Sequence, residues 1–185
     1  MIHAEIRAVN GTDGLPPGLN GVMPLQLGDR EVRVWGGPFR NRPKGVATYG
    51  VKMAAEIKDP ADLSVSCKDF GVPDPADMRD AVVETLNQAL DGEQIYVGCM
   101  GGIGRTGTFM ASLAKAAGEN DPVAYVRSTY LEHAVETKAQ EQFVADLPVD
   151  DIRTALKSAL WWRRFAWLKP YDFLGLIERY SRVRV

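Results

Sequence analysis

One stretch near the middle of the chain limits the possible folds more than any other. Ile95, Tyr96 and Val97 form a short apolar run, followed by Gly98 and Cys99. Met100, Gly101, Gly102, Ile103, Gly104, Arg105, Thr106 and Gly107 come next, and then Phe109, Met110, Leu113 and Ala114 recur at helical spacing. A buried strand that passes through a glycine-rich loop into a helix calls for a layered α/β arrangement, with the strand inside a sheet and the helix on its face. Glycines at 101, 102 and 104 let backbone N–H groups converge on one point without a β-carbon in the way. Such a nest, backed by a helix N-terminus, attracts an anion and favours the thiolate form of a cysteine beside it. Arg105 adds a planar fork suited to two phosphate oxygens. Cys99 is therefore placed as a thiolate facing a bound phosphate, which is the requirement for nucleophilic attack at phosphorus.

The remaining pattern fits a small sheet covered by helices. Residues 2–9 alternate apolar and polar and read as a strand, with His3 on its outer side. Seven Gly and Pro residues between 10 and 24 read as a long loop. Residues 31–35 alternate again and read as a strand ended by Gly36, Gly37 and Pro38. Residues 46–58 read as helical, and 63–67 as a short strand. Asp74-Pro75 and Asp121-Pro122 each supply a helix N-cap followed by proline at the first helical position. The first of these helices stops at Asp91-Gly92. Helical patterns continue from the second to the end, punctuated at Pro148 and Pro170. Asp-Pro-Ala-Asp occurs at 59–62 and at 74–77, and both copies read as turn chemistry rather than a repeat.

Composition narrows the functional classes. The net charge of −2 on 185 residues gives no whole-protein case for nucleic-acid binding. No stretch approaches the ~18 consecutive apolar residues of a membrane span. No secretory signal stands at the start, and two cysteines make no disulfide framework, so a reducing cytoplasm is expected. His3, His133, Cys67 and Cys99 have no metal-ligand spacing, and neither a metal nor another cofactor is expected.

Cys-x5-Arg-Thr-Gly at 99–107 resembles the signature loop of the cysteine-dependent protein tyrosine phosphatase superfamily, and the chain length resembles its compact dual-specificity branch. The resemblance covers roughly residues 60–145 by motif. It implies that Cys99 attacks phosphorus and forms a phosphocysteine. Arg105 and the loop residues Met100, Gly101, Gly102, Ile103 and Gly104 would hold the phosphoryl oxygens, and Thr106 would help the thiol leave. Asp69, in Asp69-Phe-Gly-Val-Pro-Asp74, falls where the family carries the acid that protonates the leaving oxygen and then deprotonates the attacking water. Asp74 is the alternative acid, better explained as a helix N-cap. The family's glutamine segment, which positions the hydrolytic water, falls on 135–143. Its first Gln is Glu136 here, and Gln140 stands at the second. Two departures are visible: Cys67-Lys68 replaces the usual Trp-Pro before the acid, and Gly98 replaces the His that usually precedes the nucleophile. The fold expected is a phosphatase-like α/β domain over 1–149, a small central mixed sheet flanked by helices. A C-terminal helical extension, 150–185, would pack on the same domain.

Other readings share some of these residues. Gly102-Ile-Gly-Arg-Thr-Gly107 also spells the dinucleotide-binding fingerprint, but no second strand ending in an acid follows it. Arg40, Arg42 and Lys44 read as a solvated loop, or as the rim of an anionic site. Cys67 reads as an inert packed thiol, with a protective disulfide to Cys99 as the alternative some relatives suggest. Residues 150–185 carry eight Lys and Arg against four Asp and Glu, with Trp161, Trp162 and Trp167 among them. That segment reads as helices docked on the core, or as a surface for a partner or an anionic membrane. A phosphorylated protein is the favoured substrate. An inositol phosphate, an RNA 5′-phosphate, or a non-catalytic phosphate-binding role are the alternatives.

Overall fold

In the computed structural model the described residues are 17–43, 45 and 47–163, without the side chains of Trp162 and Arg163. The expected strand at 2–9, with His3, lies outside them, as do Lys44 and residues 164–185 with Trp167 and Pro170. Five strands form one mixed sheet in the order β1-β2-β5-β3-β4. They are β1 (Gly21–Leu27), β2 (Arg30–Pro38), β3 (Tyr49–Lys52), β4 (Leu63–Ser64) and β5 (Ile95–Cys99). β1 and β2 form an antiparallel hairpin, while β2, β5, β3 and β4 run parallel. β5 is central and buried along its whole length, which its continuous apolar run permits. The carboxyl ends of four parallel strands thus share one edge of the sheet. In such sheets the crevice beyond those ends is where ligands bind.

The helices are α1 (Pro75–Asp91), α2 (Gly104–Ala117), α3 (Pro122–Thr129), α4 (Lys138–Asp146) and α5 (Asp150–Arg163). The Asp74 side chain accepts from the Ala76 and Asp77 N–H groups with Pro75 at the first helical position, so Asp74 caps α1 as expected. Asp121 and Pro122 start α3 in the same way. On α5, Ile152, Ala155, Leu156 and Ala159 are buried in the same core as β5 and α2. Where a dinucleotide-binding unit would carry its second strand after α2, the chain forms the helix α3 instead. No described helix is long and apolar enough to cross a membrane.

Four local expectations are corrected. The loop expected through residue 24 ends earlier, because Gly21–Leu27 is the edge strand β1. Pro24 disguised it: proline is tolerated at a sheet edge, where its missing N–H leaves no ladder bond unmade. Gly36, Gly37 and Pro38 belong to β2 rather than ending it. The helix expected at 46–58 is instead β3 followed by an irregular segment. Ala47, Tyr49, Val51 and Met53 are all buried at period two, the strand period that the helical reading passed over. β4 pairs only at Leu63–Ser64, shorter than the expected 63–67.

Candidate active site

The four parallel strands deliver the site between them. β5 ends at Cys99, and residues 100–103 arch over to the start of α2 at Gly104. The Gly102 N–H donates to Cys99 Sγ at 3.2 Å. Asn20 Nδ2 donates to the Gly101 and Gly102 carbonyls at 2.8 and 3.3 Å, and the Tyr130 hydroxyl also donates to the Gly102 carbonyl. Peptide planes are rigid, so holding these two carbonyls outward turns the Gly102 and Ile103 N–H groups the other way, into the cradle. Burial, with Tyr96 and Cys99 nearby, pushes the Tyr130 phenol far above its usual range and keeps it a donor. Gly102 has φ +74°, and a β-carbon there would strike the Gly37 backbone, so the loop rests directly on β2. Thr106 Oγ1 is buried at the start of α2, with no hydrogen-bond partner among the described residues.

Gly98 has a packing reason. A β-carbon on it would meet Phe39 Cα at 2.7 Å and the Gly37 carbonyl oxygen at 2.9 Å. The chain leaving β2 crosses where the side chain of a histidine would begin.

Arg105 is only 2% exposed. Its Nη1 and Nη2 donate to the two carboxylate oxygens of Glu56 at 3.0 and 2.7 Å, a fork-to-fork pair. Nη1 also donates to the Cys67 carbonyl at 3.0 Å, and Nη2 lies 3.0 Å from Asp69 Oδ1. Burial opposes the guanidinium charge, but the Glu56 bond and the charges at Cys99, Glu56 and Asp69 outweigh it and raise its pKa. The same hydrogen bond holds the Glu56 carboxyl below the usual carboxylate value. Cys67 is buried and free, its thiol pushed up mainly by desolvation, and its backbone carbonyl is what reaches the site. Arg42 is no rim residue: it binds the Ala47 and Thr48 carbonyls and pairs with Asp62 at 2.7 Å. Arg40 pairs with Asp59 at 3.5 Å.

Two carboxylates sit on strained turns at the mouth. Asp69, 64% exposed on its side chain, lies in a turn closed by the Gly71 N–H to the Lys68 carbonyl at 3.0 Å. Its neighbour Phe70 has φ +57°. Glu136 follows Val135, whose φ is +61°, and its carboxylate packs on Gly104, where it would collide with any β-carbon. Arg127 secures this turn by donating to the Ala134 and Val135 carbonyls at 3.0 and 2.8 Å. Gln140 links the two turns. Its Oε1 accepts from the Glu136 and Thr137 N–H groups at 2.9 and 3.3 Å, and its Nε2 donates to the Gly71 carbonyl at 3.2 Å. It closes a capping box with Thr137 and is fully buried. His133 lies in the loop before this turn. Phe70, Val72 and Met100 are exposed large apolar side chains on the acid loop and the cradle.

The structure thus gathers Cys99, the 100–104 loop, Arg105, Asp69 and Gln140. Sequence reasoning missed Asn20, Glu56 and Tyr130. Glu56 was hidden in the segment read as helix, and Asn20 in a presumed loop.

A family model described as a Swiss Army Knife protein, DSP-PTPase phosphatase domain (PTP-SAK), matches residues 54–157, more than half of the chain. The chain belongs to this family. The matched span holds Glu56, Asp69, Cys99, Arg105 and Gln140 but not the Asn20 brace. Two uncharacterised proteins of Methanocaldococcus jannaschii are each 42% identical over 85 residues, 45% of this chain and 57% and 53% of theirs. The chain therefore spans about half the length of the curated relatives it matches. Among solved structures, Tk-PTP in its active form is similar at TM-score 0.55 and 19% identity, over 72% of this chain and 97% of that one. DUSP15 is similar at TM-score 0.54 and 16% identity, over 75% and 96%. PTPMT1 is similar at TM-score 0.52 and 15% identity, over 74% and 98%. The fold is that of the protein tyrosine phosphatases, within the dual-specificity-like part of the superfamily.

Proposed function

We propose that the protein hydrolyses phosphomonoesters through a phosphocysteine on Cys99. The observation that carries this reading is the cradle itself: Cys99 Sγ accepts the Gly102 N–H, with a buried Arg105 at the loop's far end and Asp69 ion-paired to it. Cys99 attacks phosphorus. The amides of residues 100–105 and the Arg105 fork take up charge on the phosphoryl oxygens, where preorganised donors act most strongly. For Arg105 to engage substrate, Asp69 leaves Nη2, takes a proton from solvent through its exposed side chain, and turns to the leaving oxygen, to which it gives that proton as the P–O bond breaks. Glu56 and the Cys67 carbonyl keep the guanidinium in place meanwhile. In the second step the Cys99 thiolate departs, helped by the Gly102 N–H and the unpartnered Thr106 hydroxyl. Gln140 acts as a positioning residue that ties the acid loop to α4. Its amide lies out of contact with solvent.

A phosphorylated protein side chain is the favoured substrate. The mouth carries Asp69, Glu56 and Glu136, while Arg40 and Arg42 are committed elsewhere. A polyanion such as an inositol polyphosphate or RNA would meet these carboxylates, whereas a single phosphate on a peptide enters past Phe70, Val72 and Met100. A nucleophilic thiol suits a reducing compartment such as the cytoplasm. The test is a rate panel of phosphotyrosine and phosphothreonine peptides, an inositol polyphosphate and a 5′-triphosphorylated RNA, run on the wild type and Cys99→Ser. The expected result is turnover of the phosphopeptides fastest, and none by Cys99→Ser, which still binds tungstate. A Cys99→Ser protein with near wild-type rates would overturn the mechanism. Faster hydrolysis of the RNA or inositol polyphosphate would overturn the substrate class.

A further inference from the structure

The only two non-glycine residues with positive φ among the described residues are Phe70 and Val135, and each adjoins a carboxylate of the site. A bulky or β-branched residue in the left-handed region costs about 1–3 kcal/mol and persists where the surroundings impose it. Here the surroundings are explicit. Arg127 pins the Val135 carbonyl, and the buried Gln140 amide holds the Glu136 N–H on one side and the Gly71 carbonyl on the other. The two strained turns are thereby fixed as a pair, one presenting Asp69 and the other Glu136. Asp69 rests on Arg105 Nη2, while Glu136 rests on Gly104 at the entrance to α2. The Glu136 carboxylate is exposed and has no hydrogen-bond or ion-pair partner among the described residues. Gln140, fully buried, does not touch water in this arrangement. Both the Glu136 carboxylate and the Gln140 amide oxygen lie against Gly104, but only Glu136 is exposed, so of the two it is the one open to a water at the mouth.

We infer that Glu136 is the general base of the second half-reaction, so that Asp69 and Glu136 divide the proton transfers between them. The inference rests on the phosphocysteine reading above. In the step, the water oxygen forms a bond to phosphorus as the S–P bond breaks. One water proton passes to Glu136, and the electron pair of the broken bond returns to Cys99 as thiolate. Inorganic phosphate leaves, and the exposed Glu136 carboxyl returns its proton to solvent.

The experiment is rapid-mixing kinetics of p-nitrophenyl phosphate with the full chain as wild type, Glu136→Gln and Glu136→Asp, with melting temperatures measured alongside. For E136Q the expected result is an initial burst of nitrophenolate at close to the wild-type first-turnover rate. Steady turnover should then be slower by about 10²-fold, the size expected for a lost base. Intact mass spectrometry after acid quench should find the enzyme carrying one phosphoryl group, and E136D should recover part of the steady rate. An E136Q protein with unchanged steady turnover overturns the inference. So does a parallel loss of burst and steady rates, because that marks Glu136 as a structural part of the cradle. A wild type that shows no turnover at all overturns the phosphatase reading, and this inference with it.

Discussion

The cradle and its lips are built in opposite ways. Residues 99–105 form one continuous loop, locked by bonds to its own thiol and by Asn20 and Tyr130 on its outward carbonyls. The carboxylates come from three separate segments, Met53–Glu56 after β3, Cys67–Gly71 after β4 and Val135–Gln140 before α4. Two of those segments hold a strained residue. The cradle must present N–H groups to phosphate without reorganising, since preorganisation is what makes such donors effective. On the mechanism proposed here the lips change partners during a cycle, Asp69 leaving Arg105 for the leaving group. Rigidity is concentrated where charge is held and exposure where protons move.

The largest expected effect that sharpens this contrast comes from the lip. Asp69→Ala should slow phenyl phosphate by roughly 10²-fold or more, and p-nitrophenyl phosphate far less, because a good leaving group needs no proton. Equal losses on the two substrates would move the acid elsewhere. Next is Glu56→Gln, which keeps one acceptor on Arg105 but removes the charge. A loss of roughly 10-fold in kcat/KM is expected, on the scale of a misaligned rather than absent donor. Its pH signature is distinct. The folded Glu56 pKa lies below its unfolded value of 4.5 because of the Arg105 hydrogen bond. The stabilisation is thus complete above that value and is lost as pH falls through the folded one. Glu56→Gln should flatten the acid limb of the melting-temperature profile. A limb identical to the wild type would show that the pair adds nothing to folding. The smallest effect is in the cradle's brace. Tyr130→Phe removes one hydrogen bond to the Gly102 carbonyl, worth about 1 kcal/mol, and should lower Tm by about 2–4 °C. No shift in Tm would mean that Asn20 holds the loop alone.

The same contrast decides what was legible in the sequence. The cradle could be read because its parts are adjacent: strand, glycines, Cys99, Arg105 and helix all fall within one short window. Asp69 could be read because its turn keeps a family pattern. The partners of these residues could not. Glu56 reaches Arg105 from 49 residues away, and Asn20 reaches Gly101 from 81 residues away. Nothing in their own neighbourhoods distinguishes them from loop residues. The helical reading of 46–58 failed for a different reason: the period-two run from Ala47 to Met53 passes directly into Ala54, Ala55 and Ile57, which blur the alternation when the whole stretch is read as one element. Gln140 was legible as a residue of interest, but its burial between two turns follows from tertiary packing alone. Gly98, read as a departure, proved to be a fitted position against Phe39.

The proposed mechanism requires phosphorus to pass through Cys99. Acid quench of the enzyme during turnover, followed by peptide mapping, reads this directly. The account predicts a phosphoryl group on the peptide containing Cys99 in the wild type, more of it in Glu136→Gln, and none in Cys99→Ser. Turnover that continues with no covalent phosphoryl group, or with the group on another residue, would contradict it.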